Sequence, residues 1–315
     1  MPFKESDTPY VCTLSEELQD IAKRELNEDP ATRSGYIQTL RALTNTRADI
    51  KFRRDDAFLL RFLRAKKFDV KRAFQQLCRY YEVRREYREV FDELRPSKIQ
   101  HVWDMGMDVA LPDRDSEGRR ILIFRPGKWN PDVCPAVDSM KATVITVERL
   151  LEEEETQING VVFIGDFIDY SMKQAVHIGP YFARMNTSIL QNAMPMRIKG
   201  FHFINTPTIF EAGMALWRPL MSEKMRQRMH LHGDEYGTLH KHIPSAVLPT
   251  DCGGTSSQLD TRCREWMEKL LEFEDKFVFN NETFGPPKKE NTLGGTSQGA
   301  DPNMGLVGSF KKLDV

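Results

Sequence analysis

Three sets of residues in this chain have types and spacings that could do chemistry. Arg197 and Lys199 are two apart, and Lys224 and Arg228 are four apart. On an extended segment the first pair points one way. On a helix the second pair shares a face. Clustered cations of this kind hold phosphates or rest on an anionic membrane surface. The 315-residue chain carries a net charge of -1, yet from Arg197 to Arg228 six Lys or Arg oppose two acids, a local excess of +4. Near an anionic surface a cation contributes about 1 kcal/mol, falling off within a Debye length. Four would support transient docking. The plainer reading is surface charge that keeps the protein soluble.

The second set is catalytic in form. His230 and His232 could face the same way on an extended segment, but no ligand cluster lies near them in sequence, so polar residues at a sheet end are the simpler reading. Asp166 and Asp169 follow an apolar run, at the usual site-bearing end of a parallel strand. No partner base or nucleophile accompanies them, which favours loop capping. Gly295-Thr296-Ser297-Gln298-Gly299 matches GxSxG but lacks the strand before and helix after that a nucleophile elbow requires. A lipid hydrolase is therefore a remote alternative, and the chain reads as a non-enzyme with no cofactor and no metal site. The basic run Arg61, Arg64, Lys66, Lys67, Lys71 and Arg72 lies on helices without a recognised nucleic-acid module.

The third set is a helix between the two cationic pairs. Thr206 as N-cap and Pro207 as first helical residue would start it. Ile209, Phe210, Gly213, Met214, Ala215, Leu216 and Trp217 leave Glu211 as its one charge before Pro219 ends it. A helix apolar on nearly every side is either buried or faces something apolar that is not protein. The polar stretch from Ser222 to Arg228 brings the chain back to the surface at once, which favours a lid.

These residues need a scaffold. Residues 13–100 read as helices: Thr13 and Glu16 have capping-box spacing before Leu14, Leu18, Ile21 and Leu26. Tyr36, Ile37, Leu40 and Leu43 form a second stripe, and Phe58, Leu59, Phe62 and Leu63 a third. Asp69 would cap a fourth helix with Phe74, Leu77 and Tyr81 inward. After a turn at Arg114 to Gly118, short apolar runs at 121–124, 161–164 and 201–204 alternate with helices near 138–155, 179–192 and 207–217. That alternation predicts an α/β domain with a mostly parallel sheet flanked by helices. A helix near 260–276 closes it. The expected division is a flexible 1–12, a helical domain at 13–100, an α/β domain at 101–276 and a disordered tail at 277–315. Five scattered cysteines without CxxC suggest reduced thiols, no segment has signal-peptide form, and none nears the roughly 20 apolar residues a membrane span needs.

Five segments resemble the CRAL-TRIO lipid-transfer family: DDAFLLRFLRAKKFDVKRAFQQL (55–77), EETQINGVVFIGDF (154–167), RIKGFHFINTPTIFEA (197–212), KMRQRMHLHG (224–233) and LPTDCGG (248–254). The likeness is greatest to its tocopherol-transfer branch, with the retinaldehyde-binding and clavesin branches nearby. It implies a hydrophobic cavity under a mobile gate helix, and non-enzymatic transfer of one tocopherol, retinoid, carotenoid or other lipid. It places a phosphoinositide patch on Arg197, Lys199, Lys224 and Arg228. Cavity positions implied by the resemblance are Thr143, Val147, Val161, Phe163, Ile178, Ile189, Leu190, Met194, Phe201, Phe210, Met214 and Leu216. Val147 stands where the tocopherol branch has a hydroxyl residue, and Gly165 where it has an aromatic. A cytoplasmic monomer, touching endosomal or plasma membranes transiently, is the expected form. The alternative within the family is a phosphoinositide-binding trafficking protein of clavesin type.

Overall fold

The computed structural model describes residues 10–287. The GxSxG match and most of the expected tail lie outside these residues, as do residues 1–9. Tyr10 to Cys12, expected to be flexible, are tied down: the Tyr10 amide donates to Asp56 Oδ2 at 3.0 Å, and Cys12 packs beside Leu14 and Leu26.

Four helices form the N-terminal layer: α1 (Glu16–Leu26), α2 (Arg33–Thr44), α3 (Asp56–Ala65) and α4 (Val70–Glu86). Ser15, not Thr13, caps α1, accepting from the Leu18 amide at 3.3 Å. The Thr13 hydroxyl is drawn to Glu154 Oε1 at 2.6 Å, so the chain enters the helix two residues later. Asp55 caps α3 and Asp69 caps α4. Phe58, Leu59, Leu60, Phe62 and Leu63 bury α3 on nearly every side. On α2, Ile37 and Leu40 face inward, whereas Tyr36 stays exposed with its ring edge-on to Phe68 at 5.4 Å.

Five strands follow: β1 (Asp108–Arg114), β2 (Arg120–Phe124), β3 (Val161–Asp166), β4 (Ile198–Ile204) and β5 (Met229–Gly233). They lie side by side in that order, β1 antiparallel to β2 and the rest parallel. The apolar runs at 121–124, 161–164 and 201–204 are the three central strands. Both edge strands lack such a run. β1 contains Pro112, which an edge tolerates because it removes a ladder donor, and β5 alternates histidine with Met229 and Leu231.

Helices cover the sheet. The helix expected at 138–155 is Ala136–Leu150 followed by a separate turn, Glu154–Asn159. That expected at 179–192 is Pro180–Asn186 running into a π-helical segment, Thr187–Ala193. The covering helix Ile209–Trp217 begins after Thr208 and has no side-chain cap, in contrast to the expected Thr206 start. Asn205, at φ 52°, turns the chain off β4, and its amide donates to Asp166 Oδ1 at 2.8 Å. The chain stays helical past 276: Leu259–Glu272 leads into Glu274–Thr283, which buries Phe277. Among the described residues no helix is long and apolar enough to cross a membrane.

Candidate functional site

Strand alternation aims Phe201 and Phe203 of β4 to one face of the sheet and His202 to the other. On the phenylalanine face lies a cavity of about 260 Å³. Leu122 and Phe124 of β2, Phe163 of β3, and Phe201 and Phe203 form its floor; the Phe163 and Phe201 rings stack 5.1 Å apart. Ser139, Met140 and Thr143 of helix Ala136–Leu150 line one side. Met214 and Trp217 of the covering helix, with Met221 and Met225 beyond it, form the roof. Gly165 is bare because a Cβ there would lie 2.6 Å from the Phe124 ring. The rings of Phe124 and Phe167 occupy the space a side chain on β3 would take.

Of the positions implied by the resemblance, Thr143, Phe163, Ile178, Leu190, Phe201 and Met214 border this cavity. Val147, Val161, Ile189 and Met194 do not; each is fully buried in the surrounding core. Phe210 packs behind the wall, its ring edge-on to Phe167 at 4.8 Å and tilted against Phe203 at 5.2 Å. Leu216 is half-buried on the covering helix and does not line the cavity. Phe203 and Trp217 are lining residues that the sequence reading missed. The period-2 alternation with Phe201 is a signal for the first, and a place on the apolar lid helix is one for the second.

Asp108, on β1, also borders the cavity and is 3% exposed. Its Oδ1 accepts from the Thr146 hydroxyl at 2.8 Å and its Oδ2 from Thr143 at 3.3 Å. Burial pushes its carboxyl up to about 7, against the pull of those hydroxyls and of the Trp103 side chain. Nothing in the strand pattern signalled this acid, because β1 itself was not foreseen.

The covering helix is held chiefly by its apolar underside: Phe210 and Met214 are buried, and Trp217 packs edge-on to Phe182 at 6.4 Å. Just beyond it, the Gln191 side chain donates to the Leu220 carbonyl and accepts from the Ser222 amide, both at 3.3 Å. The helix Glu223–Arg226 is a single turn, so Arg228 lies past its end rather than sharing a helix face with Lys224. Arg228 instead donates to the Ile198 carbonyl. The register of β3 and β4 slips between Ile198 and Gly200, making Lys199 the inserted residue of a bulge, which re-aims it. Arg197 and Lys199 both reach Glu25 of α1, at 2.7 and 3.2 Å. These bonds, Arg197's foremost, hold the Glu25 carboxyl down at about 2. Arg218 pairs with Glu211 and Arg226 with Glu223, so the local cationic excess concentrates on Arg197, Lys199, Lys224 and Arg228.

Lys66 and Lys67, at the turn between α3 and α4, join them. Burial, with Arg72 and Lys224, lowers the Lys66 ammonium, and burial, with Arg228 and Lys67, lowers Lys224. By sequence these two lysines belong to the basic run on the N-terminal helices, which shows no nucleic-acid module.

A family model for the CRAL/TRIO domain matches residues 104–254, and one for the CRAL/TRIO N-terminal domain matches residues 16–79. The alpha-tocopherol transfer protein-like protein of Mus musculus is 40% identical over 280 residues, 88% of this chain and 81% of its own. That of Homo sapiens is 40% identical over 270 residues, 85% of this chain and 78% of its own. Clavesin-2 of Homo sapiens is 36% identical over 282 residues, 88% of this chain and 86% of its own. The chain belongs to the CRAL-TRIO family.

In this CRAL-TRIO protein the cationic cluster straddles the two matched domains. Glu25, Lys66 and Lys67 come from the N-terminal one, and Arg197, Lys199, Lys224 and Arg228 from the other. A buried guanidinium fixes the two together. Arg64 donates to both oxygens of Glu28 at 2.8 and 2.9 Å, to Glu154 at 2.9 Å and to Gln157 at 2.8 Å.

The opposite face of the CRAL-TRIO sheet carries His202, His230, His232 and His242. The His202 and His230 rings stack at 4.8 Å, and His202 Nδ1 lies 3.0 Å from His232 Nε2. Burial and the neighbouring imidazoles lower His202 to about 3; burial, His242 and His230 lower His232 to about 4. The nearly coplanar His202 and His232 rings thus meet edge to edge through their Nδ1–Nε2 bond, while His242 is tilted against all three. Among the described residues the three-donor group able to close on a metal is His101, Cys134 and Asp138, with ligand atoms within 4.8 Å. Lys141 and His101 already engage Asp138, at 3.0 and 3.1 Å, and burial pushes the Cys134 thiol up to about 11. Asp166 is a loop cap, accepting from the Ile168 amide at 3.1 Å. Asp169 sits exposed in a left-handed turn.

Proposed function

We propose that this protein carries one small hydrophobic lipid in the cavity beneath helix Ile209–Trp217 and exchanges it at membranes bearing phosphoinositides. The observation that carries the reading is the roof. The cavity is closed by a helix whose hold on the body is mostly apolar, through Phe210, Met214 and Trp217. Contacts of that kind are replaced at little cost by acyl chains, so a bilayer can take over the helix's underside. Met172 and Val176 stand exposed on and just after the turn of helix packed against the covering helix, and would enter the same interface.

The cationic cluster supplies orientation. Arg197, Lys199, Lys224 and Arg228, with Lys66 and Lys67, present charge from both domains to a phosphorylated headgroup. Transfer of this kind needs no covalent step, in keeping with the lipid-transfer character of the relatives. Extraction and mass spectrometry of lipid from the purified full chain, followed by transfer between vesicles, tests the proposal. One apolar lipid per chain and faster transfer to phosphoinositide vesicles are expected. A chain without bound lipid that transfers none of a panel of tocopherol, retinoid, carotenoid and sterol would refute it. The clavesin-type alternative, supported by the likeness to clavesin-2, predicts phosphoinositide binding that survives blocking of the cavity.

A further inference from the structure

The two ends of the covering segment are tied to the body in different ways. At its entry Asn205 is firmly fixed. Its backbone amide donates to the Gly233 carbonyl at 2.6 Å, and its side-chain amide donates to Asp166 Oδ1 at 2.8 Å and to the Tyr236 hydroxyl at 3.1 Å. From Thr206 to Gln227 the side chains then bond within the segment: Arg218 answers Glu211, and Arg226 answers Glu223 and reaches the Arg218 and Met221 carbonyls. Among the described residues, one side chain hydrogen-bonds that stretch to the body. It is Gln191, which donates to the Leu220 carbonyl and accepts from the Ser222 amide, both at 3.3 Å.

The form of that contact is specific. Met221 lies between the two bonded groups in an extended conformation, with φ -83° and ψ 137°. The Gln191 amide engages it through the carbonyl before and the amide after, as a neighbouring parallel strand would. The Met221 side chain lines the cavity. Gln191 projects from the π-helical segment Thr187–Ala193, whose Thr187 and Leu190 line the cavity too. That segment is itself held to the N-terminal layer: Arg79 of α4 donates to the Ser188 hydroxyl at 2.6 Å, and Gln76 to the Met194 carbonyl at 2.8 Å. Gln191 thus grips the far end of the lid from a wall anchored in the other domain.

Resting on the reading of helix Ile209–Trp217 as a lid, we infer that Gln191 is its latch. The lid swings about Asn205, and its Leu220–Ser222 end leaves the wall when the Gln191 amide lets go. Gln191 is a positioning residue that sets how often the cavity opens. Both bonds are long and the side chain is half-buried, so water or headgroup oxygens at a membrane surface replace them at little cost.

The test compares the full native chain with Gln191→Met, which keeps the length of the side chain but has neither its donor nor its carbonyl acceptor. Asn192→Ala, at the exposed neighbour, is the control. Without lipid or vesicles, hydrogen exchange in peptides spanning 218–223 should rise about fivefold in Gln191→Met, the effect of losing two weak hydrogen bonds, with α4 and β4 unchanged. Asn192→Ala should match the native chain. Transfer of retinol and α-tocopherol to phosphatidylcholine vesicles, followed by their own fluorescence, should quicken by a similar factor in Gln191→Met. On vesicles that also hold phosphoinositide the gap should close, since the membrane has already opened the latch; a residue that merely packs would not give this convergence. Equal exchange at 218–223 in the native chain and Gln191→Met overturns the latch. So does a rise shared by α4 and β4, or a transfer gain that persists on phosphoinositide vesicles. Faster exchange confined to 218–223 in a chain that moves neither lipid to either vesicle upholds the latch and counts instead against the lipid-transfer reading.

Discussion

Removing the Arg64 guanidinium tests how the two domains are joined. Arg64 and Glu28 side chains are each 1% exposed, and Glu154 is 18% exposed. Arg64→Ala would strip five donated hydrogen bonds, the fifth to the Tyr10 hydroxyl at 3.0 Å, and leave a buried carboxylate with less compensation. Deleting one partner of a buried pair costs about 3–5 kcal/mol. Glu28 would keep Arg33, whose Nε donates to its Oε1 at 2.7 Å, so the lower end, about 3 kcal/mol, applies here. Against a typical total of about 5–15 kcal/mol that is a large loss. With a urea slope of about 3 kcal/mol per M, the midpoint should fall by about 1 M. Arg64→Lys keeps the charge but not the two-pronged geometry, and should recover part of the loss. Arg88→Ala, which breaks an exposed i,i+4 pair with Asp92, should stay within about 0.5 kcal/mol. The assay is urea unfolding followed by circular dichroism, with hydrogen exchange on α1, whose protection should drop selectively. A midpoint shift below about 0.3 M for Arg64→Ala would refute the reasoning, because the buried pair would then be contributing no more than a surface one.

Other outcomes follow from the same geometry. Lys224→Glu combined with Arg228→Glu should weaken flotation with phosphoinositide vesicles by about 30-fold or more, since two charge reversals change the cluster by four units; unchanged flotation would remove the patch from the proposed function. Glu25→Gln removes the internal anion bonded to Arg197 and Lys199 and should strengthen vesicle binding by about fivefold, an effect lost in high salt; weaker binding would show that Glu25 positions the cations. The histidine stack should make the fold acid-sensitive. His202 and His232 titrate near 3 and 4 in the folded chain against 6.5 when unfolded, so the unfolded state binds more protons between those limits. Stability should therefore fall as pH drops below about 6.5, by about 2–4 kcal/mol at pH 5, with no such contribution above that pH. Thermal unfolding across pH 4.5–7.5 of the native chain and His202→Leu measures it; equal slopes for both would contradict the assignment.

The elements whose pattern is local were legible in the sequence. The capping Asp69, the inward stripe of α3 and the three central strands all follow from side-chain periodicity within a few residues. So does the apolar character of helix Ile209–Trp217; spacing picks out the two cationic pairs flanking it, and the resemblance assigns them to one patch. What failed was information that another part of the chain supplies. Thr13 lost its capping role because Glu154, far away in sequence, competes for its hydroxyl. The edge strands β1 and β5 have no pattern of their own; they are strands because β2 and β4 offer ladder partners. Lys224 and Arg228 share no helix face, yet they belong to one cluster because a bulge at Lys199 and the turn at Lys66 and Lys67 converge on them.

Composition and periodicity thus set which segments are helices or central strands, and a set of motifs in order points to the family. Tertiary structure alone decided which phenylalanines line the cavity, that a buried Asp108 faces it, and that Glu25 already answers two of the cations. Burial, desolvation and ion pairing depend on neighbours in space, and a strand or helix pattern encodes only the neighbours along the chain.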